Sequence, residues 1–263
     1  MIRWCAYCQQ FLAEEEPFDR YQISYGVCAA CKPKIQTFSE TDHKNLEGIL
    51  AFYIRLEESA LAGTNLEVSA LLAEGRDLGI RPLDLLMGMA QPLLAKIGDL
   101  WAANQVSVHT EHRFTALVAN LAAQVRLTAR LEMLLAAPDL LLLPVDENQH
   151  TLGVQLAEVY FAIHGIPTLA VTPGLPTREI LELVALHRPR ALGFSVALPT
   201  QLNQVLEVAM QLKGRPEAPR HLLLGGPAVR RGLELDPAYG IAVCRDLAEA
   251  RERLAEPLQP EAH

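Results

Sequence analysis

The rhythm of apolar positions changes twice along the chain. From Ser39 to about Leu134 apolar residues recur at mixed three- and four-residue steps with few β-branched runs, the spacing of helices that bury one face. Asp42 to Leu61 carries such a stripe through Leu46, Ile49, Leu50, Tyr53, Ile54 and Leu56. Leu66 to Leu78, Leu83 to Trp101 and Val108 to Leu134 make three more, punctuated by Gly63, Gly79, Pro82 and Gly98, with Ser107 a natural N-cap for the last. From Leu140 the pattern becomes short apolar runs alternating with helical stretches: Leu140 to Val145, Pro167 to Val171, Ala191 to Val196, His221 to Leu224 and Ile241 to Val243. Near-continuous apolar strands separated by helices predict a parallel sheet covered on both faces. The expected fold is therefore all-α followed by α/β: a four-helix bundle, then a flavodoxin-like five-stranded Rossmann domain.

The first 38 residues show neither rhythm. They hold Cys5-x2-Cys8 and, 19 residues on, Cys28-x2-Cys31, while Cys244 lies alone in an apolar stretch, where it reads as a buried strand residue. Two such knuckles at this separation are the sequence form of a four-thiolate zinc site, because each turns tightly enough to aim both sulfurs at one ion. An iron cluster or a redox pair would use the same ligands. Too few apolar residues are present for an independent core, so a metal would have to supply the folding free energy. The expected boundaries are 1–38 for the ribbon, 39–135 for the bundle, 136–255 for the Rossmann-like domain and 256–263 for a flexible tail.

Composition narrows the function. With 263 residues, 50% hydrophobic and 21% charged, disorder is excluded and two compact domains with an appendage fit. A net charge of -8 argues against a surface built to neutralise phosphates. The longest apolar run, Leu140 to Val145 with Pro144 inside it, is far short of the ~20 residues that cross a bilayer, and the N-terminus lacks a secretory pattern. A cytoplasmic protein without membrane contact is expected.

In a doubly wound sheet, ligands lie beyond the carboxyl ends of the strands. After the first strand come Asn148, Gln149, His150, Thr151, Leu152 and Gly153; after the third, Ser195, Val196, Ala197 and Leu198; after the fourth, Gly225 and Gly226. Gly153 allows the following helix to approach a bulky ligand, and the paired glycines leave room for something flat. No G-x-G-x-x-G follows the first strand, which disfavours a dinucleotide. Between the third and fourth helices, Trp101 is followed after nine residues by Glu111 and His112. Alone, such a Trp reads as core and such a pair as a solvated helix start.

Together these motifs resemble the cobalamin-binding module of methionine synthase, corrinoid carrier proteins and the CarH/LitR class of light-responsive regulators, over about residues 66 to 250. By that resemblance His150 ligates cobalt from below, and the nucleotide tail inserts near Ser195 and Gly225. Asn148 stands where many members carry a carboxylate, which implies a less basic imidazole and a weaker cobalt bond. Ala197, in the third position of the turn, is a milder departure. Trp101, Glu111 and His112 match the photoreceptor branch. There the Trp packs over an upper 5'-deoxyadenosyl group, the Glu contacts it, and the His takes the cobalt after light breaks the cobalt–carbon bond. The knuckles resemble short zinc ribbons at the front of bacterial signalling proteins. The winged-helix DNA reader of the regulators has no counterpart here, and Glu14, Glu15 and Glu16 in the ribbon's connecting loop favour protein contact over nucleic acid.

The resulting expectation is a non-enzymatic cobalamin sensor, adenosylcobalamin being the favoured form and methylcobalamin an alternative. It would signal through ribbon and cap to a protein partner or another copy in a homo-oligomer, in signalling or transcription control, with direct DNA binding disfavoured. The competing expectations are a methyl-carrying corrinoid component of a methyltransferase system and a zinc-ribbon nucleic-acid binder with cobalamin as a structural ligand.

Overall fold

A computed structural model describes residues 1–37, 39–128, 137–145 and 151–255. Contacts divide the chain into two units, Met1–Val125 and Arg126–His263. Ribbon and bundle thus fall in one unit. The expected tail, 256–263, lies outside the described residues.

The first unit opens with three short strands, β1 (Ile2–Cys5), β2 (Phe11–Glu14) and β3 (Ile23–Gly26). β1 is central, antiparallel to β2 and parallel to β3. Glu14 belongs to β2 rather than to the loop expected from sequence. Glu15 pairs with Arg3, and its carbonyl accepts from the Met1 ammonium at 2.6 Å, so part of the acidic run is neutralised locally.

Four helices follow. α1 is Glu40–Leu61 and α2 is Val68–Asp77. α3 runs from Pro82–Leu85 through one π turn, Leu86–Ala90, into Gln91–Ala102, and α4 is Val108–Thr128. Ser39 caps α1 in a capping box: its hydroxyl accepts from Asp42 N at 3.2 Å, and Asp42 Oδ2 accepts from Ser39 N at 2.7 Å. The buried stripe of α1 is Ile49, Phe52, Tyr53, Leu56 and Ala60; Leu50 and Ile54, expected in it, are 40% and 46% exposed. The face turns toward Phe52 because a 3.6-residue period places 49, 52, 53, 56 and 60 together.

The second unit holds β4 (Leu140–Pro144), α5 (Leu152–Ile163), β5 (Thr168–Ala170), α6 (Thr177–His187), β6 (Ala191–Ser195), α7 (Leu202–Leu212), β7 (His221–Gly225), α8 (Pro227–Arg230), β8 (Ile241–Val243) and α9 (Leu247–Ala255). The sheet is parallel throughout, ordered β5-β4-β6-β7-β8, the flavodoxin-like order read from sequence. Alternate residues feed opposite faces. Leu141, Leu143, Leu192, Phe194 and Leu224 pack with Ile180, Val184, Val205 and Val208 of α6 and α7. Leu140, Ala191 and Leu223 pack with Phe161 of α5 and Leu254 of α9. Cys244 is buried one residue beyond β8, and burial pushes its thiol up to about 12.

Candidate functional site

Three groups of residues carry the chemistry read from the sequence. In the first, Cys5 ends β1 and Cys8 follows in a turn closed by Cys5 N to Gln10 O at 2.8 Å and Gln9 N to Cys5 O at 3.1 Å. In the second knuckle, the N–H groups of Cys31 and Lys32 both donate to the Cys28 carbonyl at 3.0 Å. Parallel pairing of β1 with β3 sets Cys5 opposite Gly26, which brings both knuckles to one end of the small sheet. The four sulfurs lie within 4.8 Å of one another, and Cys8 Sγ is 3.8 Å from Cys28 Sγ. Zinc–thiolate bonds of ~2.3 Å in a tetrahedron require sulfur separations of about 3.8 Å, whereas a disulfide requires about 2.05 Å. Burial pushes the Cys5 thiol up, but the backbone N–H groups of Cys28, Cys8 and Tyr7 outweigh it and hold Cys5 at about 6, below the ordinary 9.0. Burial and neighbouring sulfurs push Cys8 and Cys31 up. Several thiolates this close need a cation among them, so the cluster fits a metal ion held by four sulfurs.

The second group is at one end of the bundle. α3 ends in a Schellman turn, with Asn104 N bonded to Trp101 O at 2.9 Å and Gln105 N to Leu100 O at 2.8 Å, and Asn104 in the left-handed region at φ 57°. Ser107 caps α4, its Oγ accepting from Thr110 N at 3.1 Å. Trp101 is 45% exposed, far from the core position such a residue usually takes. Glu111 Oε2 is 2.5 Å from Nδ1 of the exposed His112, and Glu111 Oε1 accepts from Thr115 Oγ1 at 2.7 Å. Thr115 is a residue the sequence reading missed; its position one helical turn beyond Glu111 was the available signal.

The third group is the carboxyl edge of the large sheet. Asn148 and His150 lie outside the described residues. Gly153, in the first turn of α5, is exposed, and a Cβ built there would meet nothing within 4 Å among the described residues. Ser195 ends β6. Val196 is fully buried in the apolar core, so it presents only its backbone at this edge, while Leu198 is 55% exposed. Gln201 Oε1 accepts from Ala197 N at 2.8 Å and Leu198 N at 3.0 Å, fixing the turn. Sequence reasoning passed over Gln201, although three residues beyond Leu198 is the spacing of a capping residue.

The two glycines differ. A Cβ at Gly225 would stand 3.5 Å from Cys244 O, an ordinary contact. Gly226, at φ 106°, would drive a Cβ to 2.6 Å from Val196 O and 2.9 Å from Ser195 Oγ. Its missing side chain is filled by the neighbouring backbone rather than left for a ligand. A shallow groove of about 410 Å³ on the outer surface of α6 and α7 contains none of these residues.

Four helices followed by a parallel sheet ordered 2-1-3-4-5 have a counterpart among solved structures. The chain resembles the solved monomethylamine corrinoid protein of Methanosarcina barkeri at 16% identity and a TM-score of 0.61, over 80% of this chain and 98% of that one. Residues 54–124, from α1 into α4, match the model of the family described as B12 binding domain. Weaker likenesses are a cobalamin-binding protein of Desulfitobacterium hafniense (16% identity, 76% of this chain and 96% of that one, TM-score 0.40) and a methanol:cobalamin methyltransferase complex of M. barkeri (14%, 78% and 77%, 0.38). A search of curated proteins finds no match. No described helix is long and apolar enough to cross a membrane.

Proposed function

We propose that the chain binds a cobalamin and works as a non-enzymatic sensor in which light acting on an upper adenosyl group changes conformation or assembly. The observation that carries cobalamin binding is the match of residues 54–124 to the B12-binding family in a chain whose second unit has the flavodoxin-like sheet. Within the second unit, the exposed Gly153 and Leu198 agree with a large, partly apolar ligand at the strand ends. His150 would ligate cobalt from below, its bond weakened by Asn148 in place of a carboxylate. Trp101 would cover the upper group, Glu111, held by Thr115, would contact it, and His112 would take the position that group leaves.

A ligand that contacts the protein differently before and after light is what a two-state change requires. The cysteine cluster would hold zinc, and the signal would pass to a protein partner or a second copy of the chain. The likeness to the monomethylamine corrinoid protein favours a second reading, a carrier of methyl groups between methyltransferases. Bulk from Trp101 at the upper face argues against it, because a methyl acceptor must reach the same side.

Reconstitution with adenosylcobalamin in the dark, followed by green light, separates the two. The sensor reading expects a changed spectrum and elution volume, with the spectral product altered in His112→Ala. An unchanged elution volume, together with methyl loss from bound methylcobalamin to an acceptor thiol, would favour the carrier.

A further inference from the structure

The ribbon does not stand apart from the bundle. Phe11, the first residue of β2, lies against the bare backbone of the π turn in α3: a Cβ at Gly88 would come within 2.7 Å of its ring. Behind it, Trp4 meets Phe11 edge-on at 6.3 Å and is fully buried. Tyr21 donates its hydroxyl to Asp99 Oδ2 at 2.5 Å, in the last turn of α3 and two residues before Trp101. The Tyr21 carbonyl in turn accepts from Tyr53 Oη of α1 at 2.7 Å, and Tyr25 Oη donates to Leu46 O at 3.0 Å. The ribbon therefore touches α3 at its π turn and at its last turn.

The ribbon residues that make these contacts lie next to the knuckles in the chain. Phe11 follows the Cys5–Cys8 turn directly, and Tyr21 and Tyr25 lie on the segment that returns the chain to Cys28. The ribbon's strands are four residues each. Strands this short hold their places only if the cysteines are tied. π turns interrupt the regular helical bonding and are a point at which a helix can shift.

We propose that the metal held by Cys5, Cys8, Cys28 and Cys31 is a positioning element for α3, so that metal occupancy sets the placement of Trp101. Phe11 and Tyr21 are the positioning residues through which it acts. A divalent ion of the zinc type locks the helix; removal of the ion by a chelator releases it. The consequence for cobalamin rests on Trp101 belonging to that site, whereas the hold of the metal on the helix does not.

The test uses the full chain loaded with Zn2+. Amide hydrogen exchange is followed over residues 86–102 and, as an internal reference, over residues 191–195 of β6. Removing the metal with a chelator under reducing conditions is expected to speed exchange in 86–102 by about tenfold or more while β6 is unchanged, with recovery when Zn2+ is restored. In a Trp4→Phe background, where Trp101 is the sole tryptophan, its emission is expected to shift in parallel. Unchanged exchange and unchanged emission after chelation overturn the proposal. Should the metal-free chain precipitate, the metal-loaded Tyr21→Phe and Phe11→Ala variants carry the test. Faster exchange near Asp99 in the first and near Gly88 in the second supports it, and wild-type exchange in both overturns it.

Hydroxocobalamin affinity separates the two layers of the claim. A several-fold loss on chelation extends the coupling to the cofactor. Faster exchange with unaltered affinity keeps the metal's hold on α3 and removes Trp101 from the cobalamin site. No cobalamin uptake with or without metal contradicts the function proposed above and leaves the exchange result standing.

Discussion

At Gly226 two independent demands meet: a backbone at φ 106° and a space already taken by Val196 O at 2.6 Å from where a Cβ would stand. Gly226→Ala should therefore cost about 2 kcal/mol or more, read as a lower urea midpoint at constant slope. Gly153→Ala, with nothing within 4 Å among the described residues, should leave the midpoint unchanged or slightly raised and instead weaken cobalamin uptake, measured by titration of the reconstituted chain. The sequence identified both glycines as site residues because spacing shows where a residue falls along the chain, not which atoms surround it. Cys244 adds a pH signature. Its buried thiol is held protonated up to about 12 while the unfolded thiol ionises near 9.0, so the folded state binds the extra proton between those values. The Cys244 contribution should be level below pH 9 and be lost as pH rises toward 12, so the alkaline fall in stability should be shallower in Cys244→Ala.

Among the elements, the cap of α1 shows the opposite sign. Donation from the Ser39 backbone and hydroxyl holds Asp42 below its ordinary 3.8. Its contribution is present above pH 3.8 and is lost as pH falls through the lowered value. The stability gap between wild type and Asp42→Ala should accordingly close at low pH in acid denaturation. Gln201 does comparable work for the turn after β6. Replacing it with Ala strips two backbone N–H groups of their acceptor and should cost about 1 kcal/mol in the denaturant midpoint. Helices, strands and their order were readable from apolar period alone, because burial on one face of α1 or both faces of β4 leaves a direct trace in the sequence. The faces were less so: Leu50 and Ile54 sit on the α1 spacing yet point outward, since Phe52 on the adjoining flank is the residue the neighbours bury. The π turn at Leu86–Ala90 left no trace, because the contact that suits it, Phe11 on Gly88, comes from far away in the chain.

For the molecule as a whole, the sequence separated a cysteine head, a helical part and an α/β part, and the structure joins the first two. Segments that cannot form a core alone borrow one, which is why 1–38 is distinct in composition but not in packing. Of the residues singled out in the sequence, the four cysteines converge within 4.8 Å, Glu111 and His112 pair with each other, Trp101 is exposed, and Ser195 and Leu198 lie at the carboxyl end of β6. His150, proposed above as the cobalt ligand, and Asn148 lie outside the described residues. The central claim, that this chain takes up a cobalamin, has a direct measurement. The zinc-loaded protein is mixed with excess hydroxocobalamin in the dark, desalted, and its visible spectrum recorded beside that of His150→Ala treated identically. The account predicts about one cobalamin retained per chain, with a shifted spectrum or reduced retention in the variant. Colourless protein after desalting would contradict it.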